Sequence, residues 1–138
     1  MPVADIQSVH REDIMEDYIK QVLRTENQDW DSIRERLNDI RTIRLLHAAM
    51  GKVTEAGEFI DVLKKWIMYG KPIDEVNLKE EIGDGFYYDG IACDELKTDF
   101  DTEQCRNVNK LRNRYGEKFT EEAALNRDLE AERQVLEL

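Results

Sequence analysis

Four acidic residues are spaced for chemistry that needs paired carboxylates on two surfaces. Glu55 and Glu58 lie three apart in "VTEAGEF", and Glu81 and Asp84 lie three apart in "KEEIGD". Residues three apart on a helix project from nearly the same side, so each pair forms a two-carboxylate claw. A line through Glu55, Glu58, Val62 and Trp66 sets the first claw beside the apolar face of its helix, not opposite it. Like charges held this close resist burial, so two claws facing each other need a cation between them. All the donors are oxygens, which suits a hard ion such as Mg2+ or Mn2+; the Glu-x-x-His motifs of ferritin-like di-iron sites are missing. The plainer alternative is that, among 31 acids, such spacings arise by chance and are simply solvated.

Positioning these groups falls to helices. Only two prolines occur, Pro2 and Pro72, and no segment sustains the strict alternation of a half-buried strand. The periodicity therefore predicts an all-α chain. A first amphipathic helix is expected over about 9–25, and a second over 31–40 with Asp31 as N-cap or first-turn acid, either separate or running on. The longest and most apolar helix is expected over 42–69, with apolar residues on more than one face and hence neighbours on several sides. "YGKP" should stop it, with Gly70 left-handed and Pro72 unable to continue the ladder. Further helices are expected from Asp74 or Glu75 to Leu96 and over 101–114, then a turn at Gly116 and a last helix capped by Thr120. The short link at "YGKP" makes the two acid-bearing helices antiparallel neighbours in a bundle.

Composition narrows the partners. A formal net charge of −11 argues against a general nucleic-acid binder, because phosphate backbones repel acidic surfaces. A phosphate-bearing small ligand stays open if cations bridge it to the protein. Cys93 and Cys105 fall in helical patterns and read as a reduced pair. No secretory leader and no bilayer-length apolar run is visible, so a soluble, cytoplasmic protein is expected, in the host cytoplasm if phage-encoded, with no membrane partner. The length suits one domain over 1–138, divided as N-terminal helices 1–41, acid-bearing helices 42–115, and a C-terminal turn and helix 116–138.

Three stretches taken together, "LLHAAMGKVTEAGEF", "YGKPIDEVNLKEEIGD" and "NVNKLRNRYGEKFTEEAALNRDLEAER", resemble the MazG-like branch of the all-α nucleoside triphosphate pyrophosphohydrolases, particularly the short phage and bacterial forms. The resemblance spans about residues 42–136. It implies cleavage of a nucleoside triphosphate, a dNTP or a non-canonical NTP, to the monophosphate and pyrophosphate. It further implies Mg2+, with Mn2+ as a substitute, held by Glu55, Glu58, Glu81 and Asp84 as the catalytic and metal-binding set. Asn107, Lys110 and Arg114 match the family's N-x-x-K-x-x-x-R pattern, and their spacing puts them on one helix face, which implies phosphate binding. Relatives with pockets completed across subunits imply a homodimer or homotetramer.

Two departures stand out. Many relatives carry a second acid where this chain has Thr54, which leaves the general base to Glu55 or to the coordinated water itself. After "EEIGD" an apolar run is usual, whereas this chain has "GFYYDG". At about 100° per residue Asp89 falls roughly 80° from Glu81, where with Gly85 it could border the pocket and shape base or sugar selectivity. A capped or kinked surface turn is the alternative for Asp89. His47 reads as a core histidine with a local hydrogen bond, with base or sugar contact as its alternative. Tyr87 and Tyr88 are the better stacking candidates, whereas Trp66 and Tyr69 read as core or interface. Two other functions remain open: a non-catalytic helical interaction module, and an enzyme specific for one nucleotide, such as dGTP or dUTP, serving phage DNA synthesis.

Overall fold

The computed structural model describes residues 11–138, with side chains from residue 17 onward. Among the described residues there are seven helices and no strand: α1 (Arg11–Leu23), α2 (Trp30–Leu37), α3 (Ile40–Tyr69), α4 (Glu75–Leu96), α5 (Phe100–Tyr115), α6 (Glu121–Leu125) and α7 (Leu129–Leu136). The all-α expectation holds. The chain falls into two compact units that divide between Asn38 and Asp39.

In the first unit, α1 is interrupted where one continuous helix is expected. Asp17 turns extended (φ −161°, ψ 50°), and its carboxylate accepts the Lys20 N–H at 3.3 Å, as an N-cap does. An aspartate that can bond nearby backbone donors competes with the helix in this way. Residues 9 and 10 of the expected helix lie outside the described residues. The second helix is separate from α3, and its N-cap is Asp29, with Asp31 in the first turn.

In the second unit, local chemistry sets the helix starts. Asp39, Asp74, Asp99, Thr120 and Asp128 each accept the backbone N–H three residues on, at Thr42, Asn77, Thr102, Ala123 and Ala131. Each satisfies one donor that a helix leaves orphaned. Gly70 ends α3 in the left-handed region (φ 65°), where its N–H reaches the Trp66 carbonyl at 3.1 Å. The single last helix expected from Thr120 is instead two. Asn126 to Asp128 break it, because Asp128 is taken up in capping α7.

The α3–α4 pair is the main packed element, and it runs antiparallel. Arg44 near the start of α3 reaches Asp94 and Glu95 near the end of α4, each at 2.6 Å, while Lys52 meets Asp89 at 2.5 Å. Tyr88 packs against Gly51 so closely that a Cβ there would fall 2.1 Å from the ring. Glycine is what lets the helices meet at that level. Ala48, Gly51 and Val62 line the buried side of α3.

At the C-terminal end α7 packs on α5 of the same chain. The contact centres on Glu132, whose carboxylate takes Arg114 Nε at 2.6 Å, Arg114 Nη2 at 2.7 Å and Arg127 Nη2 at 2.7 Å.

Candidate metal centre

The antiparallel register of α3 and α4 brings Glu55, Glu81 and Asp84 to one place. One carboxylate oxygen from each lies within 4.8 Å of the other two. Glu58, the fourth acid of the expected set, is not in this group. It lies about 60° around α3 from Glu55, and its side chain is exposed. It remains near enough for its charge to act on Glu55.

Glu81 is the buried member, 5% exposed. Its Oε1 accepts from Asn77 Nδ2 at 2.6 Å, one turn earlier on the same helix. Its Oε2 is buried without any hydrogen-bond partner. A carboxylate oxygen out of water normally costs more than a folded chain tolerates unless something compensates it. The Glu55 carboxyl is pushed up from its ordinary value, first by desolvation, then by its closeness to the Glu81 carboxylate and by the charges of Glu58, Asp84 and Glu81. A divalent cation would supply the missing partner for Glu81 Oε2 and offset the repulsion among the three carboxylates. The donor set is all-oxygen, as Mg2+ or Mn2+ requires.

Beside the cluster runs a groove of about 410 Å³ lined by Lys52, Glu55, Phe59, Ile60, Glu81, Ile82, Gly85, Phe86 and Asp89. Gly85 and Asp89 therefore do border the acidic cluster. A second groove of about 550 Å³, between α4 and α5, shares Phe86 and Asp89 with the first and reaches Phe100, Gln104 and Asn107. Lys52 is a residue that sequence reasoning missed. The signal for it was its position three before Glu55, on the same helix side, and both it and its ion-pair partner Asp89 line the first groove.

The remaining candidates are placed unequally. Asn107 lines the second groove, and Lys110 on the same helix is half-buried. Arg114 is turned to Glu132, which holds its guanidinium further toward the charged form. His47 is exposed, contrary to the expected core role, and meets Tyr88 edge-on at 5.7 Å between ring centres. Tyr88 is built into the helix pair over Gly51, while Tyr87 is exposed. Thr54 donates its hydroxyl to the Gly51 carbonyl at 2.8 Å and stays on its own helix. Cys93 and Cys105 are both free thiols. No described helix is long and apolar enough to cross a membrane. No protein-family model, curated protein or solved structure matches this chain.

Proposed function

We propose that the chain is a divalent-cation-dependent nucleoside triphosphate pyrophosphohydrolase of the MazG-like kind, acting in the cytoplasm as a homo-oligomer, dimer or tetramer. The observation that carries this reading is the buried, unpartnered Oε2 of Glu81 beside Glu55 and Asp84. Bound there, Mg2+ or Mn2+ supplies the positive charge that lets so acidic a chain hold a triphosphate and makes water a nucleophile near neutral pH. Glu55, Glu81 and Asp84 hold the ion, with Glu58 at hand on the flank, and Asn77 fixes the Glu81 carboxylate through its Oε1. Water attacks the α-phosphorus, the α–β anhydride bond breaks, and pyrophosphate leaves. The water's proton goes to Glu55, through the carboxylate oxygen that is not on the ion, or the ion-bound water is itself the nucleophile once deprotonated.

Asp89 and Gly85, on the wall next to the cluster, are where base or sugar selectivity would be set, and Asn107 lies on the adjoining groove. Asn107, Lys110 and Arg114 remain the proposed phosphate face, with Arg114 available only when Glu132 releases it. A specific dGTP or dUTP enzyme is a narrower form of the same reading. The exposed apolar residues of α3 and α4 favour a second reading, a helical interaction module without catalysis. Pyrophosphate release from a panel of canonical and modified triphosphates with Mg2+ separates them. Release from at least one substrate, lost in Glu81→Gln, is expected; no release from any, with Glu81→Gln indistinguishable from wild type, would sink the enzyme reading.

A further inference from the structure

The groove beside the carboxylate cluster is short of positive charge for a triphosphate. Its lining carries three acids, Glu55, Glu81 and Asp89, and a single base, Lys52. One divalent ion on the cluster cannot offset the carboxylates and a whole triphosphate as well, so a further cation has to meet the phosphates. The other basic residues near at hand are placed otherwise. Arg114 gives both arms of its guanidinium to Glu132, at 2.6 and 2.7 Å, and its side chain is 14% exposed. Arg106, on the second groove, is paired with Glu103 at 2.7 Å. Lys110 lines neither groove.

Lys52 needs no rearrangement to serve. It stands one turn before Glu55 on α3, about 4.5 Å along the helix axis, and Asp89 Oδ1 on α4 holds its Nζ at 2.5 Å. Asp89 lies five residues beyond Asp84, about 7.5 Å along its own axis, so the ammonium is within a phosphate chain's reach of the cluster. Both side chains of the pair are open to solvent, 54% and 35% exposed. An ion pair in that setting adds little to stability and exchanges its partner readily. An ammonium also carries three N–H donors, and one contact to Asp89 leaves the others for a ligand's oxygens.

We propose that Lys52 is the phosphate contact of this groove, and that Asp89 is the positioning residue that holds the ammonium there until a phosphate takes its place. The assignment rests on the triphosphate reading above and adds a residue which that reading does not use. Pyrophosphate presents the same oxygens and binds through the same lysine. Because the contact is to phosphate and not to the base, it is common to every triphosphate. A structural role would have a different signature. A lysine that only offsets Glu55, Glu81 and Asp84 competes with the divalent ion for them, so its removal would tighten Mg2+ binding and leave phosphate binding alone.

Calorimetric titration of the full chain with pyrophosphate at saturating Mg2+, beside a titration with Mg2+ alone, tests this. Lys52→Met should bind pyrophosphate about 10- to 100-fold more weakly, as the loss of one hydrogen-bonded charge predicts, while Mg2+ alone binds at least as tightly as to the wild type. Lys52→Arg should restore most of the pyrophosphate affinity, and Asp89→Asn should raise it a few-fold. Lys118→Met, at an exposed position after α5, should leave it unchanged. In the pyrophosphate-release assay, KM of Lys52→Met should rise by a similar factor for every triphosphate, with a smaller change in kcat. Equal pyrophosphate affinity in wild type and Lys52→Met, no pyrophosphate binding by the wild type, or an equal loss in Lys118→Met, would overturn the assignment. The two readings fail separately. Pyrophosphate bound through Lys52 without hydrolysis of any triphosphate removes the enzyme and leaves the contact, whereas hydrolysis and pyrophosphate binding unaffected by Lys52→Met remove the contact and leave the enzyme.

Discussion

Two carboxylates are buried to the same degree in this chain, and they are treated in opposite ways. Glu132 is 4% exposed and Glu81 is 5% exposed. Glu132 receives two arginines, both of its oxygens are bonded, and its carboxyl is held down at about 2, first by Arg114 and then by Arg127. Glu81 receives one amide on one oxygen, has two further acids beside it, and keeps its other oxygen without a partner. A buried charge that is fully paired serves to join two helices. A buried charge left short of a partner is the place to expect a ligand from outside the chain.

Four tests break or sharpen that contrast. The largest effect is expected from Glu81→Gln, which keeps the shape and the Asn77 contact but removes the charge. Pyrophosphate release should fall by about 1,000-fold, in line with the loss of one key electrostatic group, while the thermal midpoint of the cation-free protein stays level or rises. Glu132→Gln should do the reverse, lowering the midpoint by several degrees and costing far less activity per folded molecule, as followed by circular dichroism and the same assay.

The pH dependence should also run in opposite senses. Glu132 is lowered from 4.5, so its stabilisation is complete above that value and is lost as the pH falls toward about 2. Glu55 is raised from 4.5, so folding favours its protonated form and the cation-free protein loses stability as the pH climbs above that value. Melting curves with and without Mg2+ separate the two contributions, because only the Glu55 slope should flatten when Mg2+ is added. The smallest effect is expected at the groove wall. Asp89→Ala should change relative rates among triphosphates a few-fold with little change in stability, and unchanged ratios would remove Asp89 from selectivity.

The contrast also marks what the sequence could reveal. Helix number and limits were largely readable, because caps such as Asp74 and Thr120 and the stop at Gly70 act through neighbours in the chain. The gathering of Glu55, Glu81 and Asp84 was readable too, since a short link and a three-residue spacing determine it. The exclusion of Glu58 was not, because it depends on the rotation of α3 against α4. The Arg114–Glu132 contact was hidden for a related reason: the pattern showed Arg114 and a charged last helix, but not that this helix folds back onto α5. The breaks at Asp17 and Asp128 come from aspartates that can serve either inside a helix or as its cap, a choice that periodicity alone does not make.

Cation binding measured by calorimetry on wild type and Glu81→Gln tests the central claim most directly. The account predicts saturable binding of Mg2+ or Mn2+ to the wild type, accompanied by a rise in melting temperature, with both lost in Glu81→Gln. Absence of binding to the wild type, or equal binding by the two proteins, would contradict it.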